Sequence, residues 1–102
     1  MVIAVYGYGP IGQQWVSCLL HLGAEVFVVT KTERGASQCR SDYSAALIKP
    51  KLVLKNSEVT KAILSSVDFV IVAIPALDSF IVVKDLVELG VKRIVCEKPC
   101  TI

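Results

Sequence analysis

The sequence holds one histidine, one tryptophan and one methionine in 102 residues, and none of its four cysteines stands in a C-x-x-C pair. His21 with the scattered Cys18, Cys39, Cys96 and Cys100 makes no ligand cluster at zinc or iron–sulfur spacing, so no metal site is expected. Cys18 falls in a helical stretch and Cys96 in an apolar one, and both are expected to be small core residues. Charge is also scarce. A formal net charge of +2 excludes a strongly basic nucleic-acid binder. Residues 1–24 carry no Lys, Arg, Asp or Glu at all, yet Gly7, Gly9, Pro10, Gly12, Gln13 and Gln14 interrupt that run and no basic segment precedes it. It therefore reads as neither a signal peptide nor a membrane span. Free thiols in a chain of this kind fit a reducing compartment, and a cytoplasmic location is expected. There is no internal repeat and no low-complexity linker, so one domain over residues 1–102 is expected.

What the chain does have is branched aliphatic residues. Hydrophobic residues make up 54% of it, including sixteen Val and nine Ile, a composition suited to parallel strands buried on both faces. Such a surplus is also expected to leave apolar surface for a second domain or for self-association. Val2-Ile3-Ala4-Val5-Tyr6 leads into Gly7-Tyr8-Gly9-Pro10-Ile11-Gly12, a strand, a glycine turn and a helix start. In a dinucleotide-binding unit the first Gly allows the turn, the second lets the backbone approach a pyrophosphate, and the third lets helix and strand pack closely. The helix N-terminus then faces the anion.

Beyond the turn, Ile11, Trp15, Cys18, Leu19 and Leu22 recur at helical spacing and predict the face that lies on a sheet, with Gly23 ending the helix. Residues 25–30 predict a second strand. Lys31 to Ser41 reads as a polar loop before a short helix at 42–48, and Leu52-Val53-Leu54 as a third strand. Ser57 opens a helix with Val59, Ile63 and Leu64 inward. Residues 68–75 form the clearest strand, residues 76–89 an amphipathic helix with Leu77, Ile81, Leu86 and Leu89 inward, and residues 91–96 a fifth strand. Alternating strands and helices imply an α/β fold of Rossmann type, a doubly wound parallel sheet of about five strands in three layers. The expected order 3-2-1-4-5 puts a crevice between strands 1 and 4 at their carboxyl ends, lined by Gly7 to Gly12 and by Ala73, Ile74 and Pro75.

The end of strand 2 selects the nucleotide. An NAD site usually has an acid there for the ribose hydroxyls, whereas this chain has Thr30, Lys31, Thr32 and Arg34. A hydroxyl and two cations suit a 2′-phosphate, so NADP is expected over NAD. Residues 31–61 as a whole hold seven Lys or Arg against three Asp or Glu. Two other five-stranded parallel folds fit poorly. A phosphoacceptor regulator needs acids where Tyr6 and Leu54 stand, and a methyltransferase needs one at Thr30.

The run Val70-Ile71-Val72-Ala73-Ile74-Pro75, followed by Val95-Cys96-Glu97-Lys98-Pro99, resembles the Gfo/Idh/MocA oxidoreductases over essentially the whole chain. In that family an A-T-P segment closes strand 4 and C-E-K-P closes strand 5. The resemblance implies an NAD(P)-binding domain of an enzyme acting on sugars or related alcohols and carbonyls. It places Lys98 as the catalytic group beside nicotinamide and substrate, with Glu97 lining the cofactor site. Many members carry a His soon after the strand 4 Pro, where this chain has Ala76-Leu77-Asp78-Ser79-Phe80, so no substrate contact is expected from that loop. The family's second, substrate-selecting domain has no counterpart in residues 1–102. Little activity is therefore expected of this chain alone, and a stand-alone dinucleotide-binding or sensing module is the alternative.

Overall fold

The structure, a computed structural model, describes residues 1–55, 63–74, 76–91 and 93–96. Val2–Tyr6 (β1), Glu25–Thr30 (β2), Leu52–Lys55 (β3), Phe69–Val72 (β4) and Ile94–Cys96 (β5) form one parallel sheet in the order β3-β2-β1-β4-β5. Between them run Pro10–His21 (α1), Glu33–Asp42 (α2), a helical stretch at 63–66 (α3) and Ala76–Glu88 (α4). The expected strand order is the one observed.

Alternation along the strands divides the core in two. Ile3, Val5, Val26, Val28 and Ile71 point to one face, where Val16, Leu19 and Leu20 of α1 and Cys39 of α2 cover them. Ala4, Tyr6, Val29, Val70 and Val72 point to the other, beneath Leu64 of α3 and Val82 and Leu86 of α4. Because successive strand side chains face opposite ways, a strand with no polar member must be covered on both sides, and three layers follow. Tyr6 pairs in register with Val29 of β2 and Val72 of β4. Gly7, Thr30 and Ala73 therefore emerge side by side along the carboxyl edge of the sheet.

Several elements differ from the sequence-based expectation. On α1 the buried residues are Gly12, Val16, Leu19 and Leu20, while Ile11, Cys18 and Leu22 are exposed and Trp15 is half-buried. The helix is turned by about one residue because Gly12 has to face the strand. A Cβ there would collide with the Gly7 carbonyl oxygen, so only this face can come so close. Cys18 is thus a surface thiol rather than a core residue. Cys96 is half-buried and packs against the second core cluster, but it is disulfide-bonded and so is not the free core thiol expected.

The expected loop at 31–41 is instead α2, and the expected helix at 42–48 is a set of turns beyond Asp42, with Leu47 and Ile48 exposed. Thr32 starts the helix, its side-chain oxygen accepting from the Gly35 N–H at 3.1 Å, and Glu33 stands in the first turn. Both favour an N-terminus. On α4 the inward position is Val82 rather than Ile81, which is 59% exposed. The strand expected at 68–75 is shorter, covering Phe69–Val72, and the fifth covers Ile94–Cys96, with Val95 exposed at the sheet edge. Ile63 is half-buried and Leu64 buried, while Val59 lies outside the described residues.

The phase of α1 is open to a direct check. Leu20→Ala should cost about 2–5 kcal/mol in urea unfolding, as a buried leucine does. Leu22→Ala should stay within about 0.5 kcal/mol of the parent, as surface changes do. A larger loss from Leu22→Ala than from Leu20→Ala would mean that α1 has the other face inward.

Candidate functional site

The carboxyl edge of the sheet opens into a hollow of ≈ 380 Å³. It brings together Gly7, Tyr8 and Gly9 from the turn after β1, Thr30, Lys31, Thr32 and Arg34 from the end of β2 and the start of α2, and Ile74 from beyond β4. Gly35 and Gln38 of α2 also line it. These two were not legible in a segment read as loop. The N-cap signal at Thr32, with Gln38 four residues after Arg34, could have found them.

Each glycine of the turn has a separate physical cause. Gly7 has φ +112°, and a Cβ there would lie 2.5 Å from the Ala73 carbonyl oxygen and from Cγ2 of Ile74. The turn after β1 is therefore held against the segment after β4, with the Gly7 N–H donating to the Val29 carbonyl at 2.8 Å and the Ala73 N–H donating to Tyr6 at 2.9 Å. Gly12 is dictated by the contact between α1 and the turn. Gly9 is different: its φ is −75° and a Cβ built on it meets nothing within 4 Å. Among the described residues nothing requires a glycine there, and Gly9 lines the hollow. That bare stretch of backbone fits a close-approaching pyrophosphate.

The start of α1 has the character of an anion site. Gly9 caps it without a side-chain hydrogen bond, Pro10 opens the helix with no N–H to offer, and the first turn has no acid. N–H groups of that turn and the positive end of the helix dipole are left for a ligand. The first helical bond runs from the Gln13 N–H to the Gly9 carbonyl at 2.9 Å.

The opposite rim is cationic. Lys31 and Arg34 line the hollow, and among the described residues that line it there is no carboxylate. Glu33, the one acid in that loop, is drawn away by Arg40, whose Nη1 lies 2.8 Å from Glu33 Oε1 and whose Nη2 donates to the Val53 carbonyl at 3.0 Å. Both partners are about half exposed, so the pair adds little stability, but it fixes where the negative charge lies. Thr30 is buried and its hydroxyl donates to the Thr32 carbonyl at 2.7 Å. That proton shapes the loop and is not offered to a ligand.

Not every expected residue meets this hollow. Pro10, Ile11, Gly12 and Ala73 are not among its lining residues. Gly12 and Ala73 support Gly7 from behind, and Ile11 borders a separate shallow hollow with Gln14, Trp15 and Cys18. Pro75, Glu97 and Lys98 lie outside the described residues.

Behind the turn, the Tyr8 ring is buried beside Cys39 in the first core cluster, and its hydroxyl donates to Asp42 Oδ2 at 2.6 Å. Burial, and then that hydrogen bond, raise the Tyr8 pKa well above the ordinary phenol value. Burial likewise pushes the Cys39 thiol up to about 11. Neither group ionises near neutrality.

The model of an oxidoreductase family with an NAD-binding Rossmann fold, Gfo/Idh/MocA, matches residues 1–102. No curated protein matches the chain.

Two outcomes are expected from this geometry. Gly9→Ala should leave the melting temperature within about 2 °C of the parent, whereas Gly12→Ala, which must displace backbone, should lower it by about 4 °C or more in a domain of this size. Iodoacetamide at pH 8, followed by peptide mass spectrometry, should modify the exposed Cys18 at least tenfold faster than Cys39, which is buried and protonated. Comparable rates would mean that the Tyr8 side of the core is open to solvent.

Proposed function

We propose, since the chain belongs to the Gfo/Idh/MocA oxidoreductase family, that it is an NADP-preferring cofactor domain whose enzyme oxidises sugar-like alcohols or reduces the matching carbonyls. The observation that carries the NADP preference is the rim of the hollow, which Lys31 and Arg34 line and where Glu33 is engaged by Arg40. A ribose 2′-phosphate would meet two cations there, and charge-assisted hydrogen bonds of that kind are the strong ones. An acid at position 30 would instead favour ribose hydroxyls and repel the phosphate.

In this reading the parts of the chain have distinct tasks. The backbone at Gly7, Tyr8 and Gly9, with Ile11 and Gly12 opening α1 behind Pro10, holds the pyrophosphate. Thr30 shapes the β2 loop so that Lys31, Thr32 and Arg34 surround the 2′-phosphate. Ile74 lines the facing side, with Ala73 behind Gly7, and Pro75 and Glu97, outside the described residues, are assigned to the cofactor site by the resemblance of their motifs to the family's. When bound, the nicotinamide supplies the hydride acceptor or donor. Lys98, matching the lysine of the family's Glu-Lys-Pro motif, orients the substrate oxygen. As a neutral amine it takes the hydroxyl proton while hydride leaves the same carbon, and it returns that proton in the reverse direction.

The substrate would be gripped only with a second domain in place. A cytoplasmic location fits this reading, and no helix among the described residues is long and apolar enough to cross a membrane.

Fluorescence titration tests the cofactor assignment. The chain should bind NADPH at least tenfold more tightly than NADH, and Lys31→Asp or Arg34→Glu should reduce that ratio by about tenfold, the worth of one hydrogen bond to a charged group. Equal affinities in the parent would defeat the NADP reading. Gly9→Asp should abolish binding of both nucleotides, because it fills the pyrophosphate site with a carboxylate.

A further inference from the structure

Tyr8 occupies the middle of the glycine turn, yet its side chain leaves the turn and runs through the core to α2. At 9% exposure the ring is one of the buried members of the first core cluster, and the hydroxyl ends 2.6 Å from Asp42 Oδ2. The other carboxylate oxygen of Asp42 accepts from Gln38 Nε2 at 2.8 Å. Gln38 lies one helical turn after Arg34 on the same face of α2, and both residues border the hollow. At its other end, the Tyr8 backbone carbonyl accepts from Gln13 Nε2 of α1 at 3.3 Å. One residue thus ties the turn to both helices whose N-termini face the site.

We propose that Tyr8 is a positioning residue which, through Asp42 and Gln38, sets the distance between the pyrophosphate-binding turn and the 2′-phosphate-binding rim, and so selects ligands that span both. The proposal rests on the NADP reading above. A ligand touching only one end gains nothing from that spacing, whereas one that bridges the two ends needs both in place before it arrives. Preorganisation of this kind lowers the ordering cost of binding and is felt in proportion to how much of the ligand is fixed at once.

The connection is suited to holding a distance. A phenol ring has only two side-chain torsions and is clamped here by core contacts, so the span from turn to helix is nearly rigid. Asp42 is exposed, and water can solvate its carboxylate if the phenol is removed, while the Tyr8 hydroxyl, held in a mostly buried position, would be stranded if Asp42 were removed. Tyr8→Phe is accordingly the gentler cut. It keeps the ring in the core and deletes only the bond. The raised Tyr8 pKa is consistent with a neutral donor over the whole physiological range.

The test compares a spanning ligand with a fragment in the 102-residue chain. NADPH and adenosine 2′-monophosphate are titrated against the parent, Tyr8→Phe, Asp42→Asn and the double variant, with melting temperatures recorded for each. Tyr8→Phe should weaken NADPH about tenfold while leaving the 2′-monophosphate, which meets only the rim, within twofold. Asp42→Asn should reproduce that selective loss from the other end. The double variant should lose no more than the worse single variant, because both cut one connection.

An NADPH affinity within twofold of the parent in Tyr8→Phe would overturn the proposal. So would an equal loss for both ligands, or fully additive losses in the double variant. Failure of the underlying reading shows separately, in the parent protein, as equal affinity for NADPH and NADH, and it would remove the premise before any variant is compared.

Discussion

The structure depends on one close approach of backbone to backbone. Gly12 at the start of α1 stands against the carbonyl of Gly7, and Gly7 in turn stands against the carbonyl of Ala73 at the end of β4. Three segments of main chain meet there, with Cγ2 of Ile74 also against Gly7. The first contact fixes the rotation of α1, and therefore which of its apolar residues enter the core. The second fixes how far the turn after β1 sits from the segment after β4, and therefore the width of the crevice. Sheet register, with Tyr6 opposite both Val29 and Val72, aligns the three chain segments that emerge at that edge.

The sheet itself was legible in the residues. Runs such as Val26 to Val29 and Phe69 to Val72 have too few polar members to face water on either side, and turn residues separate them, so strand number and order followed from the alternation with helices. The rotation of α1 was not legible from hydrophobicity. Ile11, Trp15, Cys18 and Leu22 form an apolar stripe as good as that of Val16, Leu19 and Leu20, and a helix apolar on most sides gives periodicity nothing to choose between. The choice is made by Gly12, a residue without a side chain, through a contact 5 positions away in sequence.

The second helix was hidden for a related reason. Its inward face is built from Gly35, Ala36 and Cys39, where Gly35 sits 3.3 Å, measured from a Cβ built on it, from Cβ of Thr30. Small residues carry little hydropathy signal, so the apolar stretch Ala45 to Ile48 drew the helix instead, although Leu47 and Ile48 are exposed. The site was affected in the same measure. Thr30, Lys31 and Arg34 could be located by their distance from the glycines, since β2 carries that spacing. Gln38 and Gly35 depend on where α2 begins, and the route from Tyr8 to Asp42 depends on where it ends. The family motif around Lys98 stood out as a sequence pattern although those residues lie outside the ones the structure describes.

The two helices that face the hollow begin differently. Thr32 and Glu33 complete the N-terminus of α2 from within the chain, whereas α1 opens with Gly9 and Pro10, without a capping side chain and without an acid in its first turn. In that arrangement an anion seated on α1 does the work that a serine or aspartate does at other helices: it is a cap supplied as a separate molecule. Helix α1 and the sheet beneath it then gain stability from occupancy by mass action. The persistence of the folded chain would rise and fall with the supply of its nucleotide, so that a cell poor in the ligand would also hold less of the protein able to bind it.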